Sequence, residues 1–278
     1  MKIDAHQHFW KYDAVEYDWI DDEMKPIQRD FLPPDLKKEL TATGIDAAIS
    51  VQARQTVAET QWLLSLAEAY PYLAGVTGWV PLIDPKLHHL LDRLVTHKKL
   101  RAVRHALQGE KDERYLLRPD FERGIRILSH YNLVYEILIY SRQLPQTIEF
   151  VDAHPNQRFV LDHIAKPPIK AGQMEPWATA LKNLARRPNI ICKVSGVVTE
   201  AVYNGWTKVQ IIPYLDATLE AFGPKRLMFG SDWPVCLVAT TYQNWHSLVQ
   251  DWASTLSVAE QEQLFGLTAV EAYGLPQR

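Results

Sequence analysis

His6 and His8 stand two residues apart in the run KIDAHQHFW. In an extended segment side chains two apart share a face, so these imidazoles form a clamp able to hold a metal such as zinc. The run FVLDHIAKPP brings Asp162, His163 and Lys166 behind an apolar stretch, and LMFGSDWPV does the same for Ser231 and Asp232. His163 is the natural third imidazole, and Asp232 a carboxylate suited to general-base work. Each has a plainer reading. An isolated histidine is more often a satisfied core residue, and an aspartate after a strand often caps the next helix. The convergence of several such residues at strand ends favours chemistry over both.

Three further runs carry polar groups among apolar ones. RAVRHALQ offers Arg104, His105 and Gln108; LVYEILIY embeds Glu136; IICKVSG puts Lys193 and Ser195 on one face and Cys192 and Val194 on the other. An unpaired buried carboxylate is expensive, so Glu136 is expected to meet an arginine, a lysine or a metal, with Arg104 and Lys166 as partners. Which face of the seventh run looks inward is not readable from alternation alone.

The elements that must position these groups are short apolar runs at 2–9, 46–53, 73–82, 100–107, 133–140, 158–166, 190–198 and 227–234. Segments with helical spacing follow most of them, as at Ala58 to Ala69, Leu87 to Val95, Phe121 to Leu128 and Trp177 to Leu184. Strand and helix alternation demands parallel strands with crossovers, and eight units predict an α/β fold of the (β/α)8 barrel type, with an open doubly wound sheet as the alternative. Catalytic groups in such barrels gather at the C-terminal strand ends, where these polar residues fall. The rhythm breaks at 10–33, a long aromatic loop expected over the barrel mouth as a lid or as rim packing. Pro167 and Pro168 are expected to end the sixth strand, and Ser257 with Glu260 has the spacing of a helix capping box.

The 278 residues suit one barrel domain spanning 1–278, and no repeat or linker divides them. A 47% hydrophobic and 23% charged composition supports a large core without cross-links. A net charge of −3 with scattered Lys and Arg gives no footprint for nucleic acid. Cys192 and Cys236 each sit in an apolar run and read as small hydrophobes. No stretch is long and apolar enough for a membrane span or signal peptide, which points to the cytoplasm and a small-molecule partner.

Taken together, DAHQHFW, VRHALQ, LDHIAKPPI, KVSG and FGSDWPV resemble the amidohydrolase superfamily nearly end to end, and within it the branch of lactonases acting on sugar acids of the L-fuconolactone and L-rhamnonolactone kind. The resemblance implies hydrolysis of an aldonolactone to its open acid. It makes His6, His8, His163 and Asp232 the metal set, with Asp232 also taking a proton from the attacking water. Arg104, His105 and Lys166 would contact substrate, His105 and His163 helping to stabilise the carbonyl oxygen. Trp10, Trp79 and Trp233 are the expected stacking surfaces. Where metal-rich members place a histidine on the fifth strand this chain has Glu136, so one zinc ion is implied while its necessity stays open. A decarboxylase of the same superfamily and a non-catalytic sugar-binding barrel are the rival readings.

Overall fold

The structure, a computed structural model, describes residues 1–276. Eight parallel strands follow one another in chain order: β1 (Ile3–Gln7), β2 (Ala47–Val51), β3 (Leu73–Gly78), β4 (Leu100–His105), β5 (Val134–Ile137), β6 (Phe159–Leu161), β7 (Ile190–Val194) and β8 (Leu227–Phe229). Parallel neighbours need crossovers. These are supplied by α1 (Pro33–Thr43), α2 (Val57–Ala69), α3 (Leu87–Leu94), α4 (Pro119–His130), α5 (Leu144–Ala153), α6 (Trp177–Leu184) and α7 (Lys208–Phe222), with α8 (Tyr242–Ala253) after the last strand. The last and first strands meet through a Gln7–Trp233 bridge. There Asp232 N–H donates to the His6 carbonyl at 2.8 Å and His8 N–H to the Trp233 carbonyl at 2.7 Å, which makes the sheet a barrel.

The helices form where the sequence spacing places them. Leu87, Leu91 and Leu94 line the buried stripe of α3, and Thr56 caps α2 by accepting from Glu59 N–H at 3.1 Å. Two strands stop earlier than their apolar runs suggest. β6 ends at Leu161, and His163, Ile164, Ala165 and Lys166 then take φ values of 53, 48, 60 and 47°. The turn is therefore made before Pro167 and Pro168, not by them. β8 ends at Phe229, and Asp232 has φ of 57°. Left-handed backbone costs roughly 1–2 kcal/mol per non-glycine residue, and such strain persists where the surroundings enforce it, commonly at functional sites.

Charged and polar side chains fill the upper barrel interior, while the starts of the strands hold an apolar layer of Ile3, Ala47, Ala102, Val134, Val160 and Met228. Beneath it, α9 (Val258–Glu262) begins with the Ser257–Glu260 capping box, and a π-helical turn leads into α10 (Thr268–Tyr273). Tyr273 of α10 packs with that apolar layer, and its hydroxyl reaches Glu136 at 2.5 Å. At the opposite end the 10–33 loop closes on itself through a Trp10–Phe31 bridge. Trp10, Tyr17 and Phe31 are buried as rim packing, whereas Trp19 keeps 38% of its surface and faces the cavity. Among the described residues no helix is long and apolar enough to cross a membrane, and both cysteines are buried free thiols.

Candidate active site

A cavity of about 1150 Å³ opens at the C-terminal ends of the strands, with His8, Gln52, Arg104, His163 and Asp232 at its floor. His6 lies just below, fully buried. An irregularity in β1 between Asp4 and Gln7 sets this up. Asp4 turns to Ser231 and to Tyr242 of α8, while His6, two residues on, reaches inward to Lys193 and Arg104, a reversal that plain alternation forbids. The adjoining chain must come close: a Cβ at Gly230 would stand 2.7 Å from that of His6. At Gly196, where φ is +59°, a Cβ would fall 2.4 Å from His163 Nδ1.

Of the four groups expected to act together, His6, His8 and Asp232 bring donor atoms into one cluster, and His163 stands beside it. His6 Nε2 and His8 Nε2 are 3.1 Å apart, and Asp232 Oδ1 lies 3.7, 3.4 and 3.9 Å from the Nε2 atoms of His6, His8 and His163. A tetrahedral zinc ion with ligands at 2.0–2.1 Å separates its donors by about 3.3 Å, so the His6, His8 and Asp232 donors fit one ion with a fourth position left for water, and His163 falls outside this trio. Protonation fits as well. Burial pushes His163 down to about 4 and His6 well below its usual range, the latter with help from Lys193, so both rings are neutral at pH 7. Burial alone would raise Asp232, but His163, His8 and His6 outweigh it and hold the carboxyl below its ordinary range. Neutral imidazoles beside a carboxylate are the donor states a metal requires.

Each ring is oriented by its other nitrogen. His8 Nδ1 donates to the Val51 carbonyl at 2.8 Å, and His163 Nδ1 contacts Ser195 Oγ at 2.9 Å. His6 Nδ1 faces Asp162 Oδ1 at 3.4 Å and Lys193 Nζ at 3.2 Å. A second grouping, His6 with Asp162 and His163, also brings donor atoms together. There Asp162 is already matched by Arg104 Nη1 and Lys193 Nζ, each at 3.0 Å. The donor set therefore suits a single ion on the His8 and Asp232 side.

Several expectations need correction. His105 does not reach the site: β4 turns Arg104 inward, so the next residue points out. There His105 accepts from Trp79 Nε1 at 3.2 Å, pairs with Glu110 at 2.7 Å and stacks on Tyr115. Glu136 meets neither Arg104 nor Lys166. Its partners are Lys193 at 2.6 Å, Thr77 at 2.7 Å and Tyr273, which settles the inward face of β7 in favour of Lys193. Trp10 donates to the Arg29 carbonyl inside the loop core, Trp233 packs on Phe9 and Phe31, and Trp79 is occupied by His105. None of the three lines the cavity; Trp19, Tyr140 and Tyr203 do. Lys166 is on the wall, 3.4 Å from Glu200 and over the Tyr140 ring. Gln52 was legible by the rule that found His163, being the polar residue that ends an apolar strand.

The chain is similar to several known proteins along nearly its whole length. The family model described as amidohydrolase matches residues 3–275. An L-fucono-1,5-lactonase of Burkholderia multivorans is 42% identical over all of this chain and 97% of its own length. Another L-fucono-1,5-lactonase, from Burkholderia ambifaria, is 36% identical over 86% of this chain and 82% of its own. A crystal structure of a Burkholderia multivorans amidohydrolase with bound zinc superposes with a TM-score of 0.94 at 42% identity, covering 99% of this chain and all of that one.

Proposed function

The chain belongs to the amidohydrolase family, and from that premise we propose that it hydrolyses a neutral sugar-acid lactone, of the L-fucono- or L-rhamnono-lactone class, to the open acid. The observation that carries this reading is the state of the cations lining the cavity. Arg54 pairs with Glu16 at 2.7 Å, Arg104 with Asp162 at 3.0 Å and Lys166 with Glu200 at 3.4 Å. Asp18, Asp21, Glu110 and Asp232 add negative charge to the wall. A substrate carboxylate finds no unspent cation among the described lining residues, so a polar, uncharged ester suits the cavity better than the acid a decarboxylase would take. The same field favours departure of the carboxylate product.

His6, His8 and Asp232 are the residues that would hold a zinc ion, with the fourth tetrahedral position open to water and His163 beside it. When bound, zinc would supply water acidified to a pKa of about 7 and polarisation of the ester carbonyl. Asp232 orients the attacking water and accepts its proton. Lys166, its charge balanced by Glu200, keeps N–H groups for the substrate's oxygens; Arg104, whose N–H groups already reach Gln52, Asp162 and His6, positions those residues; and His163 is held in place by Ser195. As the acyl C–O bond breaks, the ring oxygen leaves as the new alcohol and recovers the proton from Asp232. We place the reaction in the cytoplasm, a reading supported by the two free thiols, with a small-molecule sugar lactone as the partner.

The direct test is acid release from a panel of sugar lactones, with enzyme as purified and after chelation. Turnover lost on chelation and restored by zinc supports the metal-assisted route, and turnover that survives chelation places the work on Asp232 alone. Carbon dioxide from an acidic substrate, with no lactone cleaved, would overturn the reading.

A further inference from the structure

Gln52 follows the last residue of β2, is 2% exposed and lines the cavity. Its Oε1 accepts from Arg104 Nε at 3.2 Å and Nη2 at 2.7 Å, and its main-chain carbonyl accepts from Nη2 as well. A guanidinium only donates, so the amide has one favourable orientation: oxygen toward Arg104, nitrogen away. Nε2 then has no hydrogen-bond partner among the described residues. A buried amide donor left unpaired is costly in a folded protein, and a binding site is a common reason for one.

We propose that Gln52 Nε2 is the donor that reads a ring hydroxyl of the bound lactone, which makes Gln52 a specificity residue of the pocket. This rests on the lactonase reading. The position argues for a hydroxyl rather than the reacting carbonyl. Arg104 stands between the two, its Nη1 3.3 Å from His6 Nε2 while its Nε and Nη2 hold Gln52. The amide is thus one guanidinium width from the reacting centre, where a ring substituent lies when the carbonyl is at the imidazoles. A neutral amide also suits an uncharged oxygen. A site that leaves a buried donor unpaired rejects the analogue lacking the matching oxygen.

The test compares a polyhydroxylated aldonolactone with unsubstituted δ-valerolactone in wild type and Gln52→Met. Expected is a fall of tenfold or more in the ratio of kcat/KM for the hydroxylated over the unsubstituted ester. An unchanged ratio, whether both activities drop together or neither does, would overturn the proposal; a joint drop would mean that Gln52 acts by holding Arg104. Should Gln52→Met fail to fold, a crystal structure of the wild type with the ring-opened acid decides: a ligand hydroxyl within hydrogen-bond distance of Nε2 supports the proposal, and hydroxyls bound elsewhere refute it. Failure of the wild type to open any lactone would instead remove the reading beneath it.

Discussion

Lys193 Nζ lies 2.6 Å from Glu136 Oε2, with both side chains fully buried in the barrel interior. Lys193 also reaches Asp162 at 3.0 Å, so one ammonium serves two carboxylates, the second shared with Arg104. Glu136 has two other donors, the hydroxyls of Thr77 and Tyr273. The asymmetry fixes an order of effects. Breaking a buried pair costs about 3–5 kcal/mol because a charge is left uncompensated. Lys193→Met, which removes the only cation at Glu136 and leaves Asp162 with Arg104 alone, should destabilise the protein more than Glu136→Gln, which keeps an acceptor for the hydroxyls. In a double-mutant cycle followed by urea unfolding, the combined variant should lose less than the sum of the two. Equal single losses that simply add would contradict the arrangement.

Asp232 and His105 make the sharpest contrast at the level of activity. Asp232 sits at a φ of 57°, a conformation that asparagine also tolerates, so Asp232→Asn removes the proposed base without adding backbone strain. Its kcat on a sugar lactone should fall by about 10²–10⁴-fold, the usual worth of a positioned base, while the melting temperature stays close to wild type. His105 packs between Trp79, Glu110 and Tyr115 behind the β4 wall. His105→Phe keeps the stacked ring, and its kcat should stay within about threefold of wild type, far less than a lost oxyanion donor costs. Steady-state kinetics on the two variants, with circular dichroism as a fold control, checks both halves.

The difference between these two residues shows what the sequence carries. Eight strands and their crossovers were readable because apolar runs alternate with helical spacing, and His6, His8, His163 and Asp232 stood out as polar groups ending such runs. Phase within a strand was not readable where both faces offer polar residues: Arg104 and His105 are adjacent, and only the barrel's curvature decides which looks inward. The same ambiguity hid Lys193 as the partner of Glu136. The β1 irregularity has no sequence mark, since Asp4 and His6 have the spacing of one face yet turn to opposite sides. Trp10 and Trp233 were misplaced for another reason. A large aromatic near a barrel mouth serves equally to pack a loop or to stack a ligand, and the loop's own bridge at Phe31 drew both into its core.

The loop after β2 depends on Glu59, whose carboxylate accepts from Ala53 N–H at 3.1 Å and Arg54 N–H at 2.8 Å. Burial, the largest influence, outweighs these bonds and pushes Glu59 from 4.5 up to about 7. With the folded value above the unfolded one, the native state binds the proton more tightly. Its contribution to stability is whole below pH 4.5 and is lost as pH rises through 7. The shift corresponds to roughly 3 kcal/mol at its limit. Glu59→Gln keeps an acceptor for the two amides and removes the titration. Between pH 5 and pH 8, urea unfolding should therefore show wild type losing more stability than the variant, by up to about 2.5 kcal/mol. A wild type whose stability changes no more than that of Glu59→Gln over that interval would mean that the amides and Arg54 keep the carboxylate ionised throughout.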